Sequence, residues 1–169
     1  NEYATQSCYF LTEGGTPATL ETLPTVAASP SKGQVSTFTG HTLYERDEFA
    51  WFSGGRNLYD GTNYASGNSH TYTLSTTDSD GDERLTVAFT AGHKKPTQVQ
   101  ASVNGHDVAT LSMSGLSEYT YGTGAAGTYD VGAHSTGSVW SVRLTSTAGH
   151  DARLDYLALH YRRRISVPS

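Results

Sequence analysis

An antiparallel hairpin is predicted by the stretch Val99-Gln100-Ala101-Ser102-Val103-Asn104-Gly105-His106-Asp107-Val108. Apolar and polar residues alternate up to Val103, which is the two-residue period of a strand with one buried face. Asn-Gly is the preferred pair for a type I′ turn because both positions need a positive φ. The same alternation recurs along Leu85-Thr86-Val87-Ala88-Phe89 and along Trp140-Ser141-Val142-Arg143-Leu144. These stretches predict an all-β protein in which the strands share a core.

Further strands are expected where β-branched and aromatic residues lie between Gly-rich turns. Residues 154–161 are apolar on both faces, so we expect this strand in the centre of a sheet. The sequence has no convincing long helix, and about ten short strands predict a jelly-roll-like antiparallel β-sandwich. The remaining predicted strands are residues 8–12, 34–44, 49–52, 70–75, 108–113, 118–121 and 128–131.

Length and charge limit the classes of function. A chain of 169 residues can bury a core without disulfides, so we expect one domain over residues 1–169. The net charge of −5 does not favour binding to a phosphate backbone, so nucleic acid is not an expected partner. No run approaches the roughly 18 apolar residues of a spanning helix, so no membrane span is predicted. The three arginines at 162–164 are expected to form a solvated exit from the domain.

Two motifs could in principle hold a ligand. Residues 122–127 match G-x-G-x-x-G, but they continue into a strand where a dinucleotide site needs a helix, so we expect a plain turn. Asp78, Asp80 and Asp82 alternate around a glycine and could gather oxygen ligands for Ca²⁺. The twelfth position of an EF-hand would fall on Phe89, so a solvated turn is the main expectation and Ca²⁺ the alternative.

No catalytic residue, cofactor-binding residue or metal ligand is predicted. The seven histidines lack the spacing of a zinc site. Cys8 lacks the local signatures of a catalytic cysteine and is expected to be an ordinary strand residue. Residues 53–55 do not form the G-x-S-x-G turn of a serine hydrolase.

Two segments that are distant in sequence together resemble one protein family. They are His41-Thr42-Leu43-Tyr44-Glu45-Arg46-Asp47, followed by Ser53-Gly54-Gly55-Arg56-Asn57-Leu58-Tyr59-Asp60, and near the end Ala152-Arg153-Leu154-Asp155-Tyr156-Leu157-Ala158-Leu159-His160-Tyr161-Arg162-Arg163. They resemble the β-rich domain upstream of the catalytic domain in gingipain-type cysteine peptidases, including type IX secretion sortase-like proteins of Bacteroidetes. The residues of this structural signature are Tyr44, Glu45, Asp47, Ser53, Gly55, Arg56, Leu154, Asp155, Tyr156, Tyr161 and Arg162.

The resemblance implies a non-catalytic accessory domain cut from a larger multidomain protein. Such a domain would pack against the downstream peptidase domain of the same chain and position it. The parent would be an exported cysteine peptidase located in the periplasm, at the cell surface or outside the cell. Within the domain, Arg56 is a candidate partner for Asp155, because a buried carboxylate needs pairing. His160 stands where the family usually has asparagine, and Asn57-Leu58 replaces a more typical acidic-aromatic pair.

The alternative function is that of a jelly-roll carbohydrate-binding module. Jelly rolls occur in lectin domains, and the chain has 11 Tyr and two Trp residues whose flat rings can stack on sugars. Tyr119, Tyr121 and Tyr129 flank the Gly-rich segment and could line a glycan site.

Overall fold

The computed structural model describes residues 35–166. Two four-stranded antiparallel sheets form a sandwich, which confirms the all-β, jelly-roll-like prediction, with eight strands in the described part rather than about ten. A 3₁₀ helix (Gly132–His134) connects β6 to β7. The strands are β1 (Thr37–Glu45), β2 (Ser69–Ser75), β3 (Arg84–Ala91), β4 (Thr97–Val103), β5 (His106–Met113), β6 (Thr123–Asp130), β7 (Val139–Ala148) and β8 (Ala152–Arg164).

Strand β8 is central to the first sheet, which has the order β1-β8-β3-β6. This position confirms the prediction made from its two apolar faces. The register between β3 and β8 shifts because Ala88 lies opposite Tyr156 whereas Phe89 lies opposite Leu154. Asp155 is the extra residue of this β-bulge, a feature that re-aims a side chain. The second sheet has the order β2-β7-β4-β5.

The core lies between the two sheets. Leu85, Val87 and Phe89 of β3 face it from the first sheet, and Val99 and Val103 of β4 face it from the second. The two alternating stretches thus share one core, as predicted. Trp140 of β7 is fully buried among them.

The β4–β5 hairpin has the predicted turn chemistry. Asn104 has φ 49° and Gly105 has φ 86°, as a type I′ turn requires. The Asn104 side chain also donates a 2.7 Å hydrogen bond to the His134 carbonyl and accepts one of 2.9 Å from the Ser141 amide. The turn is therefore tied to β7 and to the 3₁₀ helix.

Three local predictions are wrong. Residues 49–52 form no strand, and only an isolated bridge joins Phe49 to Tyr59. Residues 118–121 form no strand, since Glu118 and Tyr119 lie in a turn and the Tyr121 ring packs against Phe52 of the other loop. Residues 122–127 are not a plain turn, since β6 begins at Thr123 and pairs with β3 along its whole length. The predicted strand at residues 8–12, like Cys8, lies outside the described residues.

Candidate functional site at one end of the sandwich

Two loops meet at the end of the first sheet where β1 ends and β8 begins. They are the β1–β2 loop (residues 46–68) and the β5–β6 loop (residues 114–122). Backbone bonds attach the longer loop to β8, because Asp60 donates to the Leu154 carbonyl at 2.8 Å and Tyr64 donates to the Ala152 carbonyl at 2.9 Å. The Tyr64 ring is fully buried, so this loop has its own anchor in the core.

Asp60 organises the base of the β1–β2 loop. Its side chain accepts a 2.7 Å hydrogen bond from the Tyr44 hydroxyl and another of 2.7 Å from the Thr62 amide. The residue is only 2% exposed. Burial alone would raise the pKa of Asp60, but the hydrogen bonds from Thr62 and Tyr44 favour the carboxylate and bring its pKa below the usual value. The same burial and the bond to Asp60 raise the pKa of Tyr44.

Trp51 joins the two loops to the sheet. Its indole Nε1 donates a 3.1 Å hydrogen bond to the Thr90 hydroxyl of β3. A Cβ atom added at Gly122 would lie 2.7 Å from the Trp51 ring, so glycine is needed there for the indole to approach the backbone this closely. Phe49 packs edge-on to Trp51 with ring centroids 4.9 Å apart, and the Arg153 guanidinium lies 4.0 Å from the Phe49 ring.

A depression of about 570 Å³ opens between the two loops and is called here the aromatic depression. Phe52 and Tyr121 both line it and pack against each other with ring centroids 4.8 Å apart, and they are 48% and 63% exposed. Such volume, apolar rings and a few polar groups are typical of small-molecule sites. Its principal side chains are Trp51, Phe52, Arg56, Asn57, Tyr59 and Tyr121.

A second depression, of about 380 Å³, adjoins the first and is called the acidic depression. It contains Glu45, Asp47 and Asp155, and it shares Arg56, Asn57 and Tyr59 with the aromatic depression. Burial, followed by the nearby charges of Glu45 and Asp47, raises the pKa of Asp155.

The predicted pairing of Arg56 with Asp155 is not formed. The ion pairs within 4 Å among residues 35–166 do not include Arg56. Asp155 is only partly buried and faces other carboxylates, whereas Arg56 is exposed on the loop. The guanidinium therefore lies between two depressions without a carboxylate of the described residues to neutralise it.

The signature residues fall into two groups in space. Pairing of β1 with β8 sets Glu45 opposite Tyr156 and Tyr44 opposite Leu157. The first group lies at the loop end and consists of Tyr44, Glu45, Asp47, Ser53, Gly55, Arg56, Leu154, Asp155 and Tyr156. Tyr161 and Arg162 lie at the far end of β8, where the Tyr161 hydroxyl accepts a 3.1 Å bond from the Thr77 amide.

The side chains of the three arginines at 162–164 are partly or largely exposed to solvent, as predicted, but they also make ion pairs that the sequence did not predict. They belong to β8, and each makes an ion pair with the β2–β3 loop (residues 76–83). Arg162 pairs with Asp80 and Asp82 at 3.0 Å. Arg164 pairs with Asp80 at 2.8 Å, and Arg163 approaches Asp78 at 3.7 Å. We call this network the arginine–aspartate clasp.

The clasp bears on the calcium alternative, because it uses the carboxylates proposed as Ca²⁺ ligands. The hydrogen bond from Arg164 is the main reason that the pKa of Asp80 is lowered. Among residues 35–166, no group of three or more His, Cys, Asp or Glu side chains is arranged to hold a metal ion. The same residues contain no helix with the length and hydrophobicity needed to cross a membrane.

The three tyrosines that the sequence suggested for a glycan site do not lie together in the structure. Tyr121 lines the aromatic depression, Tyr119 is 88% exposed and does not line it, and Tyr129 packs against the core. Sequence reasoning missed Trp51, Phe52 and Asn57 as parts of this site. The available signal was the position of the two aromatic residues Trp51-Phe52 directly before Ser53-Gly54-Gly55, a turn-forming sequence and not a strand.

Comparisons with known proteins show the fold. No protein-family model matches the chain, and no curated protein matches its sequence. The structure of dimeric latent PorU from Porphyromonas gingivalis aligns with a TM-score of 0.65 at 15% identity, over 77% of this chain and 13% of PorU. A family 35 carbohydrate-binding module from Cellvibrio japonicus aligns with a TM-score of 0.48 at 17% identity, over 79% of this chain and all of the module. At such identities the similarity shows a β-sandwich domain and does not show which function it has.

Proposed function

We propose that the chain is a non-catalytic domain of an exported gingipain-like or sortase-like cysteine peptidase, and that it packs against the peptidase domain and positions it. The supporting observation is the alignment with PorU, which covers most of this chain but only 13% of that protein. A domain of this size within a much longer chain has neighbouring domains to contact. The assignment of residues 1–169 to one such domain is part of the proposal.

Exposed apolar side chains beside the clasp support a docking role. Val35, Phe38 and Ile165 are exposed at the end where β1 begins and β8 ends. The Ile165 amide bonds to the Ser36 carbonyl at 2.8 Å, Phe38 lies opposite Arg163 in the sheet, and the Arg163 guanidinium lies 5.7 Å from the Phe38 ring, so Phe38, Arg163 and Ile165 are neighbours at this edge. An apolar surface with arginine at its edge is typical of the centre of an interface.

The first test is to read the parent coding sequence beyond Ser169. We expect a caspase-like domain with a His and Cys pair, and a stop codon or a glycosidase domain there would overturn the proposal. In the longer protein, Phe38→Ser with Ile165→Ser should increase amide exchange along the β1–β8 end and alter peptidase activation. Leu43→Ser is the matched control, because Leu43 is also exposed on β1 but lies near its other end.

The second candidate function is glycan binding, and the aromatic depression favours it. Phe52 and Tyr121 expose ring surface within a concave site that also contains Arg56 and Asn57. Their centroids are 4.8 Å apart and their planes are tilted by 38°, so the two rings contact each other and a sugar would stack on their outer, solvent-exposed surface. The two functions use opposite ends of the sandwich and can be tested separately.

A further inference from the structure

Six of the seven histidines lie in three close pairs, although the two members of each pair are well separated in the sequence. The pairs are His41 with His160, His93 with His150, and His106 with His134, with ring centroids 6.2, 5.5 and 4.7 Å apart. Neutral imidazole is the commonest protein ligand of metal ions. We propose that His41 and His160 together bind one divalent transition-metal ion, of the class of Cu²⁺, Ni²⁺ and Zn²⁺, and that the other two pairs do not.

The orientation of the rings excludes the His106–His134 pair. A metal ion lies close to the plane of each imidazole that binds it, because the lone pair of the ring nitrogen lies in that plane. The planes of His106 and His134 are inclined by only 12° and the rings are stacked. Two stacked, nearly parallel planes do not meet between the rings, so one ion cannot be bound by both.

A hydrogen bond disfavours the His93–His150 pair. The Nδ1 atom of His93 accepts a 3.1 Å bond from the Lys95 amide. In a neutral imidazole the other nitrogen then carries the proton, so Nε2 has no lone pair for a metal ion. His93 is the only histidine whose ring takes part in a hydrogen bond among residues 35–166, so the rings of His41 and His160 have no such competing bond there.

Two paired strands hold His41 and His160 side by side. His41 of β1 lies directly opposite His160 of β8 in the antiparallel register. Leu159 and Tyr161 are buried, so His160 between them faces away from the core, and His41 is exposed on the same face. The Cβ atoms of directly opposite residues are about 4.5–5.5 Å apart, which lets two imidazoles reach one ion. The rings are tilted by 37°, and a χ2 rotation, for which histidine has a broad range, turns a nitrogen of each toward a common point.

The charges beside the pair set how tightly it can bind. Arg84 of β3 lies opposite His160 on the other side of β8, and Arg84, Asp82 and Arg162 line a depression of about 290 Å³ with His160. Asp82 pairs with Arg162 at 3.0 Å, and the ion pairs of residues 35–166 do not include Arg84. The Arg84 charge therefore repels a bound cation. Cu²⁺ should bind best because its intrinsic affinity for nitrogen ligands exceeds that of Ni²⁺ and Zn²⁺.

The test is calorimetric titration of the full 169-residue chain with CuCl₂, NiCl₂ and ZnCl₂. We expect Cu²⁺ to bind most tightly, and the affinity to fall by about tenfold or more between roughly pH 7.5 and pH 5.5, because binding needs neutral imidazoles. In an NMR titration with ZnCl₂, the ring signals of His41 and His160 should shift, whereas those of His106 and His134 should stay. The ion should also raise the melting temperature, because it joins β1 to β8 only in the folded chain.

Variants connect binding to the two strands. His41→Asn and His160→Asn should each weaken binding by about tenfold or more, because one imidazole alone cannot chelate the ion. His106→Asn is the matched control, since it removes a histidine from a pair that the ring planes exclude. Arg84→Gln should strengthen binding by about threefold, because it removes the neighbouring positive charge. A thermal melt without metal shows that each variant is folded.

Each possible result supports or overturns the site. Zn²⁺ or Cu²⁺ binding that persists in both His41→Asn and His160→Asn would overturn it. Shifts of the His93 and His150 ring signals in place of those of His41 and His160 would overturn the choice among the pairs. No binding of any of the three ions would also overturn the site. All of these results would leave docking and glycan binding untouched, because neither function uses these two histidines.

Discussion

The two ends of the first sheet differ in how their charged side chains are paired. At the clasp end, Arg162 and Arg164 share the Asp80 carboxylate, and Arg162 also pairs with Asp82. At the loop end, Asp155 has two carboxylates as neighbours, and Arg56 pairs with none of the carboxylates in the described residues. The clasp end pairs these charges within the fold, whereas at the loop end Arg56 and Asp155 make no ion pair among the described residues.

The same contrast holds for backbone and apolar groups. At the clasp end, the Asp80 amide donates to the Arg162 carbonyl at 2.7 Å and the Arg164 amide donates to the Asp78 carbonyl at 2.9 Å, so the loop extends the sheet. At the loop end, the backbone is well anchored through Asp60, but the rings above it stay exposed. Rigid support beneath unsatisfied side chains is the arrangement expected of a binding site.

The largest loss of stability is expected from Asp60→Ala. This change leaves the Tyr44 hydroxyl and the Thr62 amide without their partner in a buried position, so it should lower the free energy of unfolding by about 3 kcal/mol. Urea unfolding followed by far-UV circular dichroism measures the loss. The depression should be destroyed as well, because its loop rests on Asp60.

Asp47→Ala is the control for Asp60→Ala, since Asp47 is an exposed carboxylate on the same loop. A pH series adds a second check. The folded pKa of Asp60 is lowered, so its stabilisation is present above the unfolded value of about 4 and disappears as the pH falls through the folded pKa. Asp60→Asn and the original protein should therefore converge below about pH 4, and a constant gap would contradict the role of the ionised carboxylate.

The next largest loss of stability is expected from Gly122→Ala. The added Cβ would lie 2.7 Å from Trp51, so the indole must move, and overpacking of this kind costs about 1–3 kcal/mol. Gly124→Ala is a closely matched control two residues away, because its Cβ would come no nearer than 3.5 Å to the Phe89 carbonyl. Trp51 fluorescence should shift in the first variant only, and equal spectra would show that the indole is not held by Gly122.

A smaller effect, confined to the clasp end, is expected from Asp80→Asn. Arg162 and Arg164 lose their shared carboxylate, so the urea midpoint should fall slightly and amide exchange at the end of β8 should speed up. The pKa of Asp80 is lowered by the bond from Arg164, so its stabilisation is present at neutral pH and is lost as the pH falls through the folded value. Asp107→Asn is the control, because that carboxylate accepts a bond from Ser102 and makes no ion pair within the described residues. Faster exchange at the loop end would contradict a local clasp.

Features that depend on residues close together in the chain could be predicted from the sequence. The two apolar faces of residues 154–161 and the Asn104-Gly105 turn each follow from local chemistry, and the structure confirms both. The prediction of a plain turn at residues 122–127 was wrong because glycine and alanine have a weak preference for strands. Only the pairing with β3 specifies strand β6 there. The clasp and the aromatic depression join segments far apart in the chain, so residue spacing alone could not predict them.

The smallest expected change in stability comes from Asp155→Asn, and it is a gain where the preceding variants lose stability. The folded pKa of Asp155 is raised by burial and by Glu45 and Asp47, so its charge opposes folding above the unfolded pKa of about 4. The variant should be more stable at pH 7, by less than about 1 kcal/mol because the site is only partly buried, and the gain should vanish near pH 3. Asp107→Asn should show no gain. A loss of stability in Asp155→Asn at pH 7 would mean that Asp155 has a cationic partner, and the loop end would then be as well paired as the clasp end.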